Sequence, residues 1–151
     1  MIKKALFIIV LIVAAFSCKP DANKSLQSLR QLTGTWEATD NTVVYFKFEE
    51  VSNKLQCSSF SLQNGDTLLI DCYSFDEDAD TLLLYMGLCG KSSNSKVYHL
   101  KKDWFGKFVF EATYDVYPYR IVFDRVSDSL WRYEQENIRG NKNISFTLKR
   151  Q

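Results

Sequence analysis

Histidine is almost missing from this chain: His99 stands alone among 151 residues. One imidazole cannot build a tetrahedral metal centre, and no serine or cysteine near it sits in a nucleophile motif, which excludes the commonest metallohydrolase and triad chemistries. Proline is also scarce. Of the two prolines only Pro118 falls in the patterned part of the chain, at the entry to an extended segment where a missing N–H is tolerated. No charge sign dominates, with nineteen lysines and arginines against eighteen acids, and this balance excludes a basic nucleic-acid footprint. The apolar run Leu6 to Val13 is too short to cross a bilayer and has no basic stop-transfer cluster after it.

What precedes and follows that run is informative. Lys3 and Lys4 come before it, and Ala14 to Ser17 lead into Cys18, the positive, apolar and small-residue order of an export signal. Ala15-Phe16-Ser17-Cys18 resembles the lipobox of bacterial lipoproteins. The resemblance implies cleavage of signal peptide 1–17, palmitate-class acyl chains on Cys18, and a location in the bacterial cell envelope, at the outer membrane. Several chains hold firmly, because each buried methylene contributes about 0.8 kcal/mol. Residues 18–28 read as a lipidated tether and 29–151 as one domain. Leu26, Leu29 and Leu32 share one side of a short helix, with Ser25 as its N-cap.

The remainder is all-β by pattern. Phe46 and Phe48, Phe108 and Phe110, Ile121 and Phe123, and Ile144, Phe146 and Leu148 each alternate with polar residues, the period of a half-buried strand. Turn signals recur at Asp40-Asn41, Ser52-Asn53, Asn64-Gly65, Asp76 to Asp80, Gly106, Ser127-Asp128 and Gly140-Asn141. A long meander with one apolar face removes its edges by closing, so the pattern predicts an antiparallel up-and-down barrel of about 8–10 strands. A short N-terminal helix closes one end. The expected inward set is very aromatic and includes Phe46, Phe48, Phe60, Leu62, Tyr98, Phe108, Phe110, Phe123, Trp131 and Tyr133. Aromatic bulk favours a filled core or a shallow mouth pocket over a deep cavity.

Leu32, Gly34 and Trp36, in LTGTWE directly after the helix, resemble the Gly-x-Trp opening of lipocalin-type barrels. That resemblance implies a tryptophan packed at the closed end under an arginine from a late strand. Arg150 has the strand parity of Leu148 and is the candidate, a cation over an indole contributing about 0.5–2 kcal/mol. LTGTWE, NGDTLLIDCYSFDED and FVFEATYDVYPYRIVF further resemble a bacterial lipocalin-like family of uncharacterised function. Phe110-Glu111 and Tyr117-Pro118-Tyr119-Arg120-Ile121 carry the match. The family pattern has His-Asp where this chain has Asp115-Val116, so no activity resting on that histidine is carried over.

Glu111, Tyr114, Tyr117 and Arg120 are the candidate ligand-binding residues. An arginine at the mouth meets an anionic head group, and tyrosines line the approach; the competing reading is a charge network at the rim. The expected activity is binding of a small apolar or amphipathic ligand in or at the mouth, without cofactor or metal and without catalysis. An interaction or inhibitor module recognising a protein or cell-wall component is the alternative. An enzyme would need a perturbed acid-base pair, for which Glu111, Asp71 and Asp115 are the candidates. Asp76, Asp78 and Asp80 have calcium-loop spacing, but Thr81 and Gly87 stand where glycine and glutamate are required, so a solvated hairpin turn is expected. With a two-residue turn at Asn64-Gly65, Cys57 and Cys72 fall opposite each other and are either bridged or buried as thiols. Cys89 has no opposite partner in that register and is expected to be unpaired.

Overall fold

The computed structural model describes residues 20–38, 43–89 and 95–151. The stretch 1–17 expected to be a signal peptide, Cys18 and most of the connection 90–96 lie outside the described residues. Ten antiparallel strands close into one barrel: β1 (Gly34–Ala38), β2 (Val44–Val51), β3 (Lys54–Gln63), β4 (Asp66–Asp78), β5 (Thr81–Gly87), β6 (Lys96–Trp104), β7 (Lys107–Ala112), β8 (Arg120–Ser127), β9 (Leu130–Glu136) and β10 (Lys142–Arg150). Each strand pairs with its sequence neighbours and β1 pairs with β10, so the up-and-down barrel expected from the alternation forms and leaves no open edge.

Helix α1 (Ala22–Leu29) and the 3₁₀ turn Arg30–Leu32 plug one end. The helix starts inside the polar stretch read as a tether, and its N-cap is Asp21, whose carboxylate accepts from the Lys24 N–H at 3.1 Å. Ser25 is therefore not the cap. It is buried, and its hydroxyl donates to Asp103 Oδ2 at 2.5 Å, tying the helix to β6. Leu26, Leu29 and Leu32 pack down into the barrel.

Two-residue turns set much of the register. Ser52-Asn53, Asn64-Gly65 and Phe105-Gly106 all have both central residues at positive φ, the geometry that matches strand twist in tight hairpins. The acidic turn joins β4 to β5 through Asp78↔Thr81, as expected of a hairpin. Residues opposite each other share a face, so Phe48↔Cys57, Phe46↔Ser59 and Val44↔Ser61 turn cysteine and serines inward on β3. Phe60 and Leu62 consequently face outward, against the sequence expectation. Phe60 stacks on Tyr45 at 5.4 Å outside the wall, and Leu62 is exposed.

Candidate functional site

The barrel has two unlike ends. At the floor, Trp36 is fully buried and its indole N–H donates to the Leu32 carbonyl at 2.6 Å. The Arg150 guanidinium carbon lies 4.6 Å from the Trp36 ring centroid, and its Nη2 and Nη1 donate to the carbonyls of Gln31 at 2.6 Å and Thr33 at 3.3 Å. One cation thus covers an indole and satisfies carbonyls that the ending 3₁₀ turn leaves unpaired. Gly34 stands at φ +128°, a conformation that L side chains rarely adopt, and this turn into β1 is what favours glycine; a Cβ there would meet Arg150 Nη1 only in ordinary contact at 3.6 Å.

Above the floor the lumen is plugged by rings that meet across it. Phe75 contacts Phe110 and Phe123 at 5.7 Å, Phe123 contacts Tyr133 at 5.3 Å, and Tyr133 contacts Phe46 at 5.2 Å. These rings come from β2, β4, β7, β8 and β9, so they fill the width of the barrel rather than line it. Any ligand inside would have to sit above them, towards the mouth.

There the chemistry changes. Tyr73 and Tyr133 share a hydroxyl hydrogen bond at 2.9 Å, and Gln135 Nε2 donates to the Tyr133 hydroxyl at 2.6 Å. All three are buried, and burial raises both phenols above the usual tyrosine range. Ser59 and Ser61 are buried on the same side. The register between β3 and β4 slips by one residue here. Ile70 and Asp71 face the single residue Ser59, whose hydroxyl donates to the Asp71 carbonyl at 3.3 Å and accepts from its N–H at 3.0 Å. Asp71 is half-buried beside this step, and desolvation raises its carboxyl pKa against the opposing pull of Lys96.

Exposed apolar side chains ring this end: Val43, Leu62, Leu68, Leu69, Leu88, Tyr114, Tyr117 and Ile138. The tip of the β3–β4 hairpin stands clear of its neighbours, because β5 pairs with β4 only from Cys72 onward and β2 pairs with β3 only as far as Ser61. Large apolar residues on solvent are informative when they gather in one place. Tyr98, at the inner edge, donates its hydroxyl to the Pro118 carbonyl at 2.9 Å, and Lys96 Nζ bonds the Tyr117 carbonyl, which seats the connection 113–119 over the rim.

The four residues expected to form a ligand site are divided by the structure. Tyr114 and Tyr117 are half-exposed on the rim. Glu111 and Arg120 pair directly across β7 and β8 on the outer wall, where they line a cleft of about 280 Å³ with Lys102, Trp104 and Val122. Arg120 Nε and Nη2 donate to Glu111 Oε1 at 2.8 and 2.6 Å, and Nη1 donates to Glu136 Oε2 at 2.7 Å. The guanidinium is held between two carboxylates, which raise its pKa further, so it clamps three strands instead of offering an anion receptor at the mouth. Sequence reasoning missed Glu136, though its position opposite Arg120 follows from the β8–β9 register.

The cysteine reading is also corrected. The disulfide joins Cys72 to Cys89, with 4.9 Å between Cα atoms, and Cys57 is a buried free thiol. The one-residue slip at Ser59 brings Cys57 opposite Tyr73 instead of Cys72, and Cys89 lies two residues beyond Gly87, the partner of Cys72 on β5. The bridge pins the start of the connection after β5 to the mouth wall. Compared with known proteins, the chain matches no family model, no curated protein and no solved structure.

Proposed function

We propose that this protein is a lipoprotein of the bacterial cell envelope, held at the outer membrane through acylated Cys18, whose barrel mouth takes a small apolar or amphipathic ligand. The observation that carries the reading is the layering at the mouth: an exposed apolar rim above a buried ladder of Tyr73, Tyr133, Gln135 and Ser59, with Asp71 half-buried beside it. An apolar body is desolvated by the rim while hydroxyls, an amide and a carboxyl address its polar end, the division of labour of small-molecule sites. The aromatic plug below sets the depth, so the ligand is small or only its head enters.

A second reading is an interaction module recognising a protein or cell-wall component. The plug and the projecting Leu62–Ile70 hairpin tip favour it, since a filled barrel with an apolar protrusion suits a surface contact. Native mass spectrometry of the domain beginning at Lys19, made in the original host and released gently, separates the two. A small molecule that co-purifies and is lost on denaturation is the expected result. A bare mass from a folded sample overturns the ligand reading in favour of the module.

A further inference from the structure

The turn Phe105-Gly106 at the floor end departs from the other two hairpins whose central residues both have positive φ. All three put their first central residue in the left-handed region, but the others use Ser52 (φ 50°) and Asn64 (φ 54°), and this one uses Phe105 (φ 49°). Asparagine and glycine tolerate that conformation; for a bulky residue it is a genuine outlier. Phe105 recovers nothing from the fold in return, since it is 102% exposed. Trp104 beside it is 71% exposed, whereas Trp36 and Trp131 are 0% and 1% exposed. Its outward position is made by a bulge. Lys101 is an extra residue between the pairs Leu100↔Phe110 and Lys102↔Val109, and this shift sends Trp104 outward and leaves Asp103 opposite buried Phe108.

Lys101, Lys102 and Lys107 flank the aromatic pair, all exposed, and no ion pair among the described residues engages them. Arg125 packs against the turn, its Cβ 3.0 Å from where a Gly106 side chain would begin, and pairs with Asp128. An exposed tryptophan and phenylalanine among unpaired lysines is the chemistry of a membrane interface: rings enter the headgroup region and ammonium groups meet lipid phosphates. The chain also emerges here. Ser25, in the first turns of α1, bonds Asp103, the residue before Trp104. Cys18 lies four residues before Ala22, a span of at most about 14 Å at about 3.5 Å per residue.

We propose that the Trp104-Phe105 turn, with Lys101, Lys102 and Lys107, is a docking surface for an anionic phospholipid bilayer. It seats the floor on the membrane beside the acyl anchor and points the mouth away from it. This rests on the anchored reading of Cys18. The geometry supplies its own reporter, because Trp104 is the one tryptophan outside the barrel core.

The test uses the full acylated chain in vesicles of phosphatidylethanolamine and phosphatidylglycerol, with and without brominated acyl chains. Bromolipid should reduce the Trp104 emission roughly twofold, as for an interfacial ring. Trp104→Phe, which keeps the two buried tryptophans, should abolish the effect. Phe105→Asn should weaken the quenching while raising the thermal midpoint, and Lys102→Gln with Lys107→Gln should weaken docking roughly fivefold per lysine in a salt-sensitive way. Flotation of the chain with vesicles and no quenching would overturn this inference while leaving the anchor intact. Failure to float would remove the anchored reading and the inference with it. Shielding of Trp104 in native membranes but not in pure lipid would overturn the lipid partner in favour of a protein.

Discussion

The Trp36 closure at the floor of the barrel satisfies itself, and the mouth does not. At the floor Trp36, Leu32 and Arg150 close on one another, with indole N–H, backbone carbonyls and guanidinium all partnered. At the mouth large apolar side chains stand in solvent around a buried polar ladder. The difference separates residues that hold the fold from residues that it leaves on solvent. The residues that close the floor from inside lower the free energy of the fold, while the apolar rim of the mouth, like the Trp104-Phe105 turn outside the floor, exposes large apolar side chains that add little to it.

The largest effect should come from breaking the floor. Trp36→Ala removes a fully buried indole and its hydrogen bond and should destabilise by about 3–5 kcal/mol in urea unfolding. Arg150→Ala, which strips the ring's cation and uncovers the carbonyls of Gln31 and Thr33, should cost about 1–2 kcal/mol. A loss below 1 kcal/mol for Trp36→Ala would mean that the floor is not the closed end described above.

Much of the floor is readable from sequence because its rules are local. The alternation of Phe46 with Phe48, the glycine two residues before Trp36 and the parity of Arg150 with Leu148 need no knowledge of partners more than one strand away. The mouth depends on registers that accumulate. The Asn64-Gly65 turn pairs Phe60 with Leu69 as sequence reasoning expects, but the slip at Ser59 then displaces Cys57 from Cys72, and nothing in the local sequence marks it. A usable signal did exist at the other side of the same strand. The Ser52-Asn53 turn pairs Phe46 with Ser59 and Phe48 with Cys57, which alone would have turned the serines and the cysteine inward and Phe60 outward. The Arg120 clamp was half legible for the same reason: Glu111 lies on the adjoining strand within a recognisable stretch, whereas Glu136 arrives from β9.

The mouth can be loosened without touching the floor. Cys72→Ser with Cys89→Ser opens a loop of sequence separation 17 and should cost about 3 kcal/mol. In hydrogen exchange the amides near β4 Asp71 and the start of β6 should lose protection while those around Trp36 keep theirs, since local openings follow local contacts. Uniform loss over the whole barrel would refute the division into two independent ends. Cys57, buried and with its thiol pKa pushed well up, should stay unreactive to thiol reagents in the folded protein.

The clamp on the outer wall is a smaller term. Arg120→Met leaves Glu111 and Glu136 facing each other without their cation and should cost about 1–2 kcal/mol, below the cost of breaking a fully buried pair because solvent reaches the site. Adding Glu136→Gln should recover part of that loss, because the uncompensated charge is removed. If the double variant is no more stable than Arg120→Met alone, repulsion between the carboxylates is not what the arginine relieves.

The gentlest probe is Asp71 at the mouth. Desolvation sets its folded pKa above the ordinary 3.8, with Lys96 opposing, so the ionised form is less favourable in the folded state than in the unfolded chain. Below the unfolded value both states carry the proton and no stability is lost. As pH rises through the folded pKa the unfolded chain releases its proton more readily, and stability falls until both states are ionised. Asp71→Asn removes this slope, so the variant should gain on the wild type from acid towards neutral pH and coincide with it in acid, a small difference because the group is half exposed to water. Thermal midpoints across that range decide it. A wild type that instead gains on the variant as pH rises would place a closer cation than Lys96 over Asp71. It would then be a paired wall residue, which removes it from the ligand site proposed above.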